Sequence, residues 1–235
     1  MKNRLSALAF LFVVLLNSCG VEEEKPTSKR KEAPKVEYVL DASILDKVYS
    51  EEDVSDTVIS ITTKLGDIDL VLFNQTPGHK SNFLSLATEG FYNGTTFHRV
   101  IKGFMIQGGD PNSKDENPNN DGQGGPGYQI DNEIASGFLH QFGAIAAARN
   151  NNPEKKSSGS QFYIVENPEG TAMLDGNYTV YGQVISGFDI IHKIALVNKG
   201  ANDRPLENVN MTISTRIETT EEIKKIFESS IKGLK

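Results

Sequence analysis

The chain has no tryptophan and a single cysteine, and its one long apolar stretch, Leu5 to Leu16, is only twelve residues. Each shortage excludes something. A lone Cys19 rules out an intramolecular disulfide and any cysteine-based metal centre. The four histidines, His79, His98, His140 and His192, are dispersed, so no transition-metal site is expected, and no cofactor. Positive charge is scarce too: 24 Lys+Arg against 31 Asp+Glu leave a formal charge of −7. Such an acidic chain has no electrostatic footprint for nucleic acid. A twelve-residue helix spans about 18 Å, too short for a hydrocarbon core of about 30 Å.

What is present begins with an address. Lys2 and Arg4 precede the apolar stretch, and Leu16-Asn17-Ser18-Cys19 follows it. Residues 1–18 thus read as a signal peptide. The site resembles a bacterial lipobox, with Asn17 a less usual residue, and this implies lipidation of Cys19. The alternative is an ordinary secretory signal with an incidental thiol. Loss of Lys2 and Arg4 with the leader takes the charge from −7 to −9 (22 bases against 31 acids), so anionic lipid would repel the chain. Attachment to a membrane must then come from acyl chains. Gly20, where an aspartate would suggest inner-membrane retention, favours the outer membrane, facing the periplasm or the surface.

Residues 19–56 form a charged tether and extension. Gly20 to Lys35 holds nine charged residues of sixteen and cannot bury enough surface to fold. Val36 to Asp56 is open between linker and a short helix on the domain, with Ile44, Leu45 and Val48 at helical spacing. Residues 57–218 have the texture of a compact domain. Val58, Ile61, Ile68, Leu70 and Leu72 lie in two β-prone runs around Lys64-Leu65-Gly66-Asp67, a hairpin signal. Thr76 to Glu89 carries a helical stripe closed by Gly90. In residues 219–235, Thr219-Thr220-Glu221-Glu222 is a capping box before an amphipathic helix, packed on the domain or offered to a partner.

The chemistry concentrates in three segments: Phe97 to Asp110 (FHRVIKGFMIQGGD), Gly159 to Ile164 (GSQFYI) and Leu174 to Gly182 (LDGNYTVYG). In order and spacing they resemble the signatures of the cyclophilins, over about residues 57–218. Lys102 stands where the family usually has proline. The resemblance implies a closed eight-stranded antiparallel β-barrel capped by two helices, with the C-terminal helix added. It also implies peptidyl-prolyl cis-trans isomerase activity on proline-containing segments, here those of exported proteins, by a monomer. A protein that only holds such segments, and a surface adhesin, are the rival readings.

That reaction explains the residue types. It needs no nucleophile or metal, only better binding of the twisted Xaa-Pro bond than of either planar form. Arg99 is the implied catalytic cation, since arginine stays charged and can aim donors at the proline nitrogen. By resemblance Phe104, Met105, Tyr163 and Leu174 line the proline pocket, and Gln107 and Gln161 hold the substrate backbone and orient Arg99. Gly122, Ala148 and Arg149 border the substrate chain. Tyr163 replaces a common phenylalanine, Arg149 an asparagine and Tyr178 a histidine. Met173 replaces the tryptophan that binds cyclosporin, which predicts weak inhibition by that drug. His98 and His140 read as structural. Gly122 to Gly127 fits G-x-G-x-x-G but follows a polar run and not a strand, so a dinucleotide site is rejected. Asp115 to Gly122 imitates a calcium loop but puts Tyr128 where a glutamate belongs, and reads as a solvated insertion.

Overall fold

The computed structural model describes residues 37–115 and 117–234. The leader, Cys19 and the tether as far as residue 36 lie outside the described residues. Strands β1 (Ser55–Thr63) and β2 (Gly66–Leu72) form the expected hairpin, with Thr63 paired to Gly66 across the Lys64-Leu65 turn. Gly66 takes φ 131°, and a Cβ there would strike the Ile190 side chain. Helix α2 (Pro77–Thr88) starts on proline, which suits a first turn. Its free N–H groups at Gly78 and His79 donate to the Glu133 carboxylate, each at 2.8 Å.

Strands β3 (Arg99–Ile101), β4 (Met105–Gly108), β6 (Ala144–Ala147), β8 (Phe162–Val165), β9 (Val180–Ser186) and β10 (Met211–Thr219) complete the main sheet. Two-residue strands β5 (Gln129–Ile130) and β7 (Ser157–Ser158) pair separately. The main sheet has eight antiparallel strands in the order β10-β1-β2-β9-β6-β8-β4-β3. The expectation of a closed barrel is corrected: β10 and β3 are the ends of this order and do not pair as strands. The two end segments run together too briefly to pair. β3 has only three residues and turns at once, through Lys102-Gly103, into β4. The segments leading into β3 and β10 meet at one isolated bridge, Thr96–Asn210.

Phe83, Tyr92, Phe97 and Phe162 pack in the interior, with Phe83 stacked on Tyr92 at 4.7 Å. Helix α3 (Phe188–Ala195) buries Phe188, Ile190, Ile191 and Ile194. Helix α4 (Thr220–Lys232) begins at the capping box, where the Thr219 hydroxyl accepts from the Glu222 N–H, and it packs through Ile223 and Phe227.

The extension lies on the domain. Helix α1 (Ile44–Val48) buries Ile44, Leu45 and Val48. Burial of each such side chain contributes about 1.5–3 kcal/mol as an upper estimate. Before α1, the Val39 N–H donates to Pro168 O, and the Phe142 N–H donates to Val39 O.

Candidate active site

Strand register assembles the first part of the site. Arg99 on β3 pairs with Gln107 on β4, and Gln107 pairs with Tyr163 on β8. Cross-strand partners share a face, so arginine, amide and phenol stand in one row. Met105, two residues before Gln107, points to the same side. The Lys102-Gly103 turn brings in Phe104, and a 3-10 turn at Ala172–Leu174 brings in Leu174.

Together they bound a pocket of about 210 Å³. Phe104, Met105, Tyr163 and Leu174 supply its apolar wall, with Tyr178 and the Ala148 methyl. Arg99, Gln107 and Arg149 are its polar members. Arg99 is exposed, and its guanidinium has no hydrogen-bond or ion-pair partner among the described residues.

Tyr163 is held from behind. Its hydroxyl lies 2.9 Å from His140 Nε2, while His140 Nδ1 lies 2.7 Å from Asp175 Oδ1. The ionised carboxylate can only accept, so Nδ1 carries the proton and donates to it, and Nε2 accepts from the phenol. Burial lowers the His140 pKa, opposed by Asp175, which keeps the ring a neutral acceptor. Burial likewise raises the Tyr163 pKa. Tyr178 stands edge-on to Tyr163, and the Arg149 guanidinium lies 4.7 Å from the Tyr178 ring centroid.

Gln161 Nε2 donates to the carbonyls of Gly122 and Gly124 at 3.0 and 2.8 Å and so pins the glycine loop. Its oxygen accepts from Gln107 Nε2 at 3.1 Å, and neither glutamine bonds Arg99. Gly122 and Gln161 line an adjoining groove that shares Gln107, Ala148 and Arg149 with the pocket. The backbone of Ala148 is already engaged: its N–H donates to Gln161 O, and its carbonyl accepts from Ser158. The main-chain groups of Arg149 have no such partner among the described residues.

Met173 is 80 % exposed and does not line the pocket. Among the described residues no group of three or more His, Cys, Asp or Glu side chains gathers to hold a metal. The acids of the 115–122 loop bond locally, Asp115 to the Asn117 N–H, or across to Arg204, as Asp121 does. Sequence reasoning missed the tether from His140 and Asp175 to Tyr163. The available signal was a phenol in place of phenylalanine over a buried histidine.

Residues 58–216 match the family described as cyclophilin type peptidyl-prolyl cis-trans isomerase/CLD. The chain is 36% identical over 171 residues to peptidyl-prolyl cis-trans isomerase-like 1 of Gibberella zeae, covering 71% of this chain and 99% of that relative. It is 36% identical over 157 residues to the protein of that name from Homo sapiens, covering 65% and 88%. A cyclophilin type isomerase of Cryptosporidium parvum, crystallised in the presence of the dipeptide Ala-Pro, superposes with TM-score 0.60 at 30% identity. That alignment covers 68% of this chain and 98% of the other. The match runs through every element that carries the pocket, and the chain belongs to the cyclophilin-type peptidyl-prolyl cis-trans isomerases.

Proposed function

We propose that this chain accelerates rotation about Xaa-Pro bonds in exported proteins while lipid-anchored to a membrane through Cys19. Arg99 carries the catalytic part of this reading: a guanidinium without a partner among the described residues, on the wall of an apolar pocket. The peptide bond resists rotation by about 18–20 kcal/mol because nitrogen shares its lone pair with the carbonyl. At the twisted geometry the lone pair returns to nitrogen, and a cationic donor at the pocket wall then binds more strongly than to either planar isomer. Each tenfold gain needs about 1.4 kcal/mol of that difference, so a thousandfold gain asks for about 4 kcal/mol.

Phe104, Met105, Tyr163 and Leu174 hold the proline ring, and the main-chain groups of Arg149, which bond no described residue, meet the flanking backbone. Gln107, braced by Gln161, supplies a further donor or acceptor beside Arg99. The protein acts as a monomer on extended segments of its clients. The anchor rests on the leader ending at Leu16-Asn17-Ser18-Cys19, and among the described residues no helix is long and apolar enough to cross a membrane.

Isomerisation kinetics on short Xaa-Pro peptides test the activity, and no acceleration would overturn it. Fractionation of cells expressing Cys19→Ser tests the anchor separately: the variant should leave the membrane fraction and keep its activity. Retention at the membrane with a cleaved leader would refute lipidation.

A further inference from the structure

A larger cleft of about 520 Å³ adjoins the proline pocket. Arg99 and Gln107 line both, so the cleft opens where the proline nitrogen would lie. Its walls are the segments Pro118–Gly122 and Gly200–Leu206, and His98 lies between them. The 115–122 loop, expected to be a solvated insertion, is built into the domain here. The Asp121 side chain is 5% exposed and accepts from Arg204 Nε at 2.5 Å, which ties one wall to the other.

Three features show what the cleft can take. His98 is 5% exposed, and neither ring nitrogen has a partner among the described residues. Leaving a buried polar group unpaired costs stability, which an occupant's hydrogen bond would recover. Gly122 is the backbone that covers the ring: a Cβ there would sit 3.7 Å from His98 Nε2, so an occupant reaches the nitrogen only past this side-chain-free position. Finally, Leu206 is 68% exposed and forms an apolar rim with Pro118 and Pro205.

We infer that this cleft is a second subsite for the polypeptide substrate, selecting a large residue near the proline with an apolar body and a neutral hydrogen-bonding tip, tyrosine above all. The inference rests on the isomerase reading of the neighbouring pocket. An extended chain advances about 3.3 Å per residue, so a residue one or two positions from proline falls here. The rim covers the ring of that residue. A neutral imidazole offers one donor and one acceptor, and a phenol can meet either. Burial lowers the His98 pKa, which keeps the ring neutral. Arg204 offsets Asp121, and the Asp110 carboxylate beside His98 is taken up by the Gly122 and Asn112 N–H groups, so among the residues that line the cleft Arg99 is the charge without an ion pair. A basic tip would be repelled by Arg99, and an acidic tip would draw Arg99 away from the proline nitrogen.

The test is kcat/KM on peptides in which each position within two residues of proline is varied among Ala, Phe, Tyr and Lys. At positions on one side of proline only, tyrosine should exceed alanine about tenfold and phenylalanine about threefold, mainly through KM. Leu206→Ala should reduce the Tyr:Ala ratio to about twofold, and His98→Phe should bring tyrosine down to phenylalanine. The exposed Leu206 carries the test if the buried His98 variant does not fold. A flat series, a lysine preference or an unchanged ratio in Leu206→Ala overturns the subsite and leaves the isomerase reading standing. Absence of activity on every peptide overturns both.

Discussion

Where the extension docks, polar groups close on one another; at the proline pocket and its neighbouring cleft, Arg99 and His98 stay open among the described residues. Tyr38 Oη lies 3.3 Å from His192 Nε2, and His192 Nδ1 lies 2.6 Å from Glu166 Oε1. The other oxygen of Glu166 accepts from the Gly103 N–H. Nearby, Lys80 Nζ reaches both oxygens of Asp56 at 2.8 Å. Arg99 and His98 have no equivalent partners among the described residues. The contrast separates two uses of polarity, since a satisfied group adds to stability and an open one is held for a ligand. Glu166 joins the two regions, because its N–H donates to Phe104 O at the turn that presents Phe104 to the pocket.

Four experiments would break or sharpen this contrast. The largest effect should come from Arg99→Ala, with kcat/KM reduced at least about a hundredfold and the melting temperature unchanged. A folded variant with an unchanged rate would remove Arg99 from the mechanism. Glu166→Ala should do the reverse in kind, costing about 2–3 kcal/mol in urea unfolding because Gly103 and His192 lose their acceptor. A loss below about 0.5 kcal/mol would show that the docked network is not a stability device.

The third experiment varies pH. His79, His98 and His140 are all held below the ordinary value of 6.5, first by burial. Glu133 opposes this at His79, Asp110 and Asp121 oppose it at His98, and Asp175 opposes it at His140. Unfolding restores the ordinary value, so below it the unfolded chain binds more protons than the folded one. Stability should therefore hold above 6.5 and fall as pH drops through it, by at most about 1.4 kcal/mol per pH unit for each histidine. Urea midpoints between about pH 8 and about pH 5 would check this, and a level profile would contradict it. The smallest effect is expected from Tyr163→Phe, which leaves the ring in the pocket but takes the donor from His140. It should cost about 1 kcal/mol of stability and change kcat/KM less than about threefold. A much larger fall in rate would give the phenol a part in binding substrate.

Much of the site was legible before any coordinates because its residues lie in short contiguous runs. FHRVIKGFMIQGGD places Arg99, Phe104, Met105 and Gln107 on one hairpin, where period-two alternation already sorts Met105 and Gln107 from Ile106. The C-terminal helix was readable for a similar reason, since Thr219 and Glu222 sit within one turn. The second cleft was not legible. Asp121 and Arg204 are far apart in the chain, and a loop of Asn, Asp and Pro looks solvated until a distant arginine is placed beside it.

By itself, then, the sequence determined the local elements, the alternation that aims side chains and the arginine-bearing hairpin, all of which follow from short-range sterics and hydrophobic periodicity. Only the tertiary structure decided that the sheet stays open between β3 and β10, since closure depends on how far two distant segments run together. Only tertiary packing, likewise, paired Asp121 with Arg204 and left His98 buried without a partner among the described residues. Pairing and burial depend on which groups arrive at one place, and no local pattern records that.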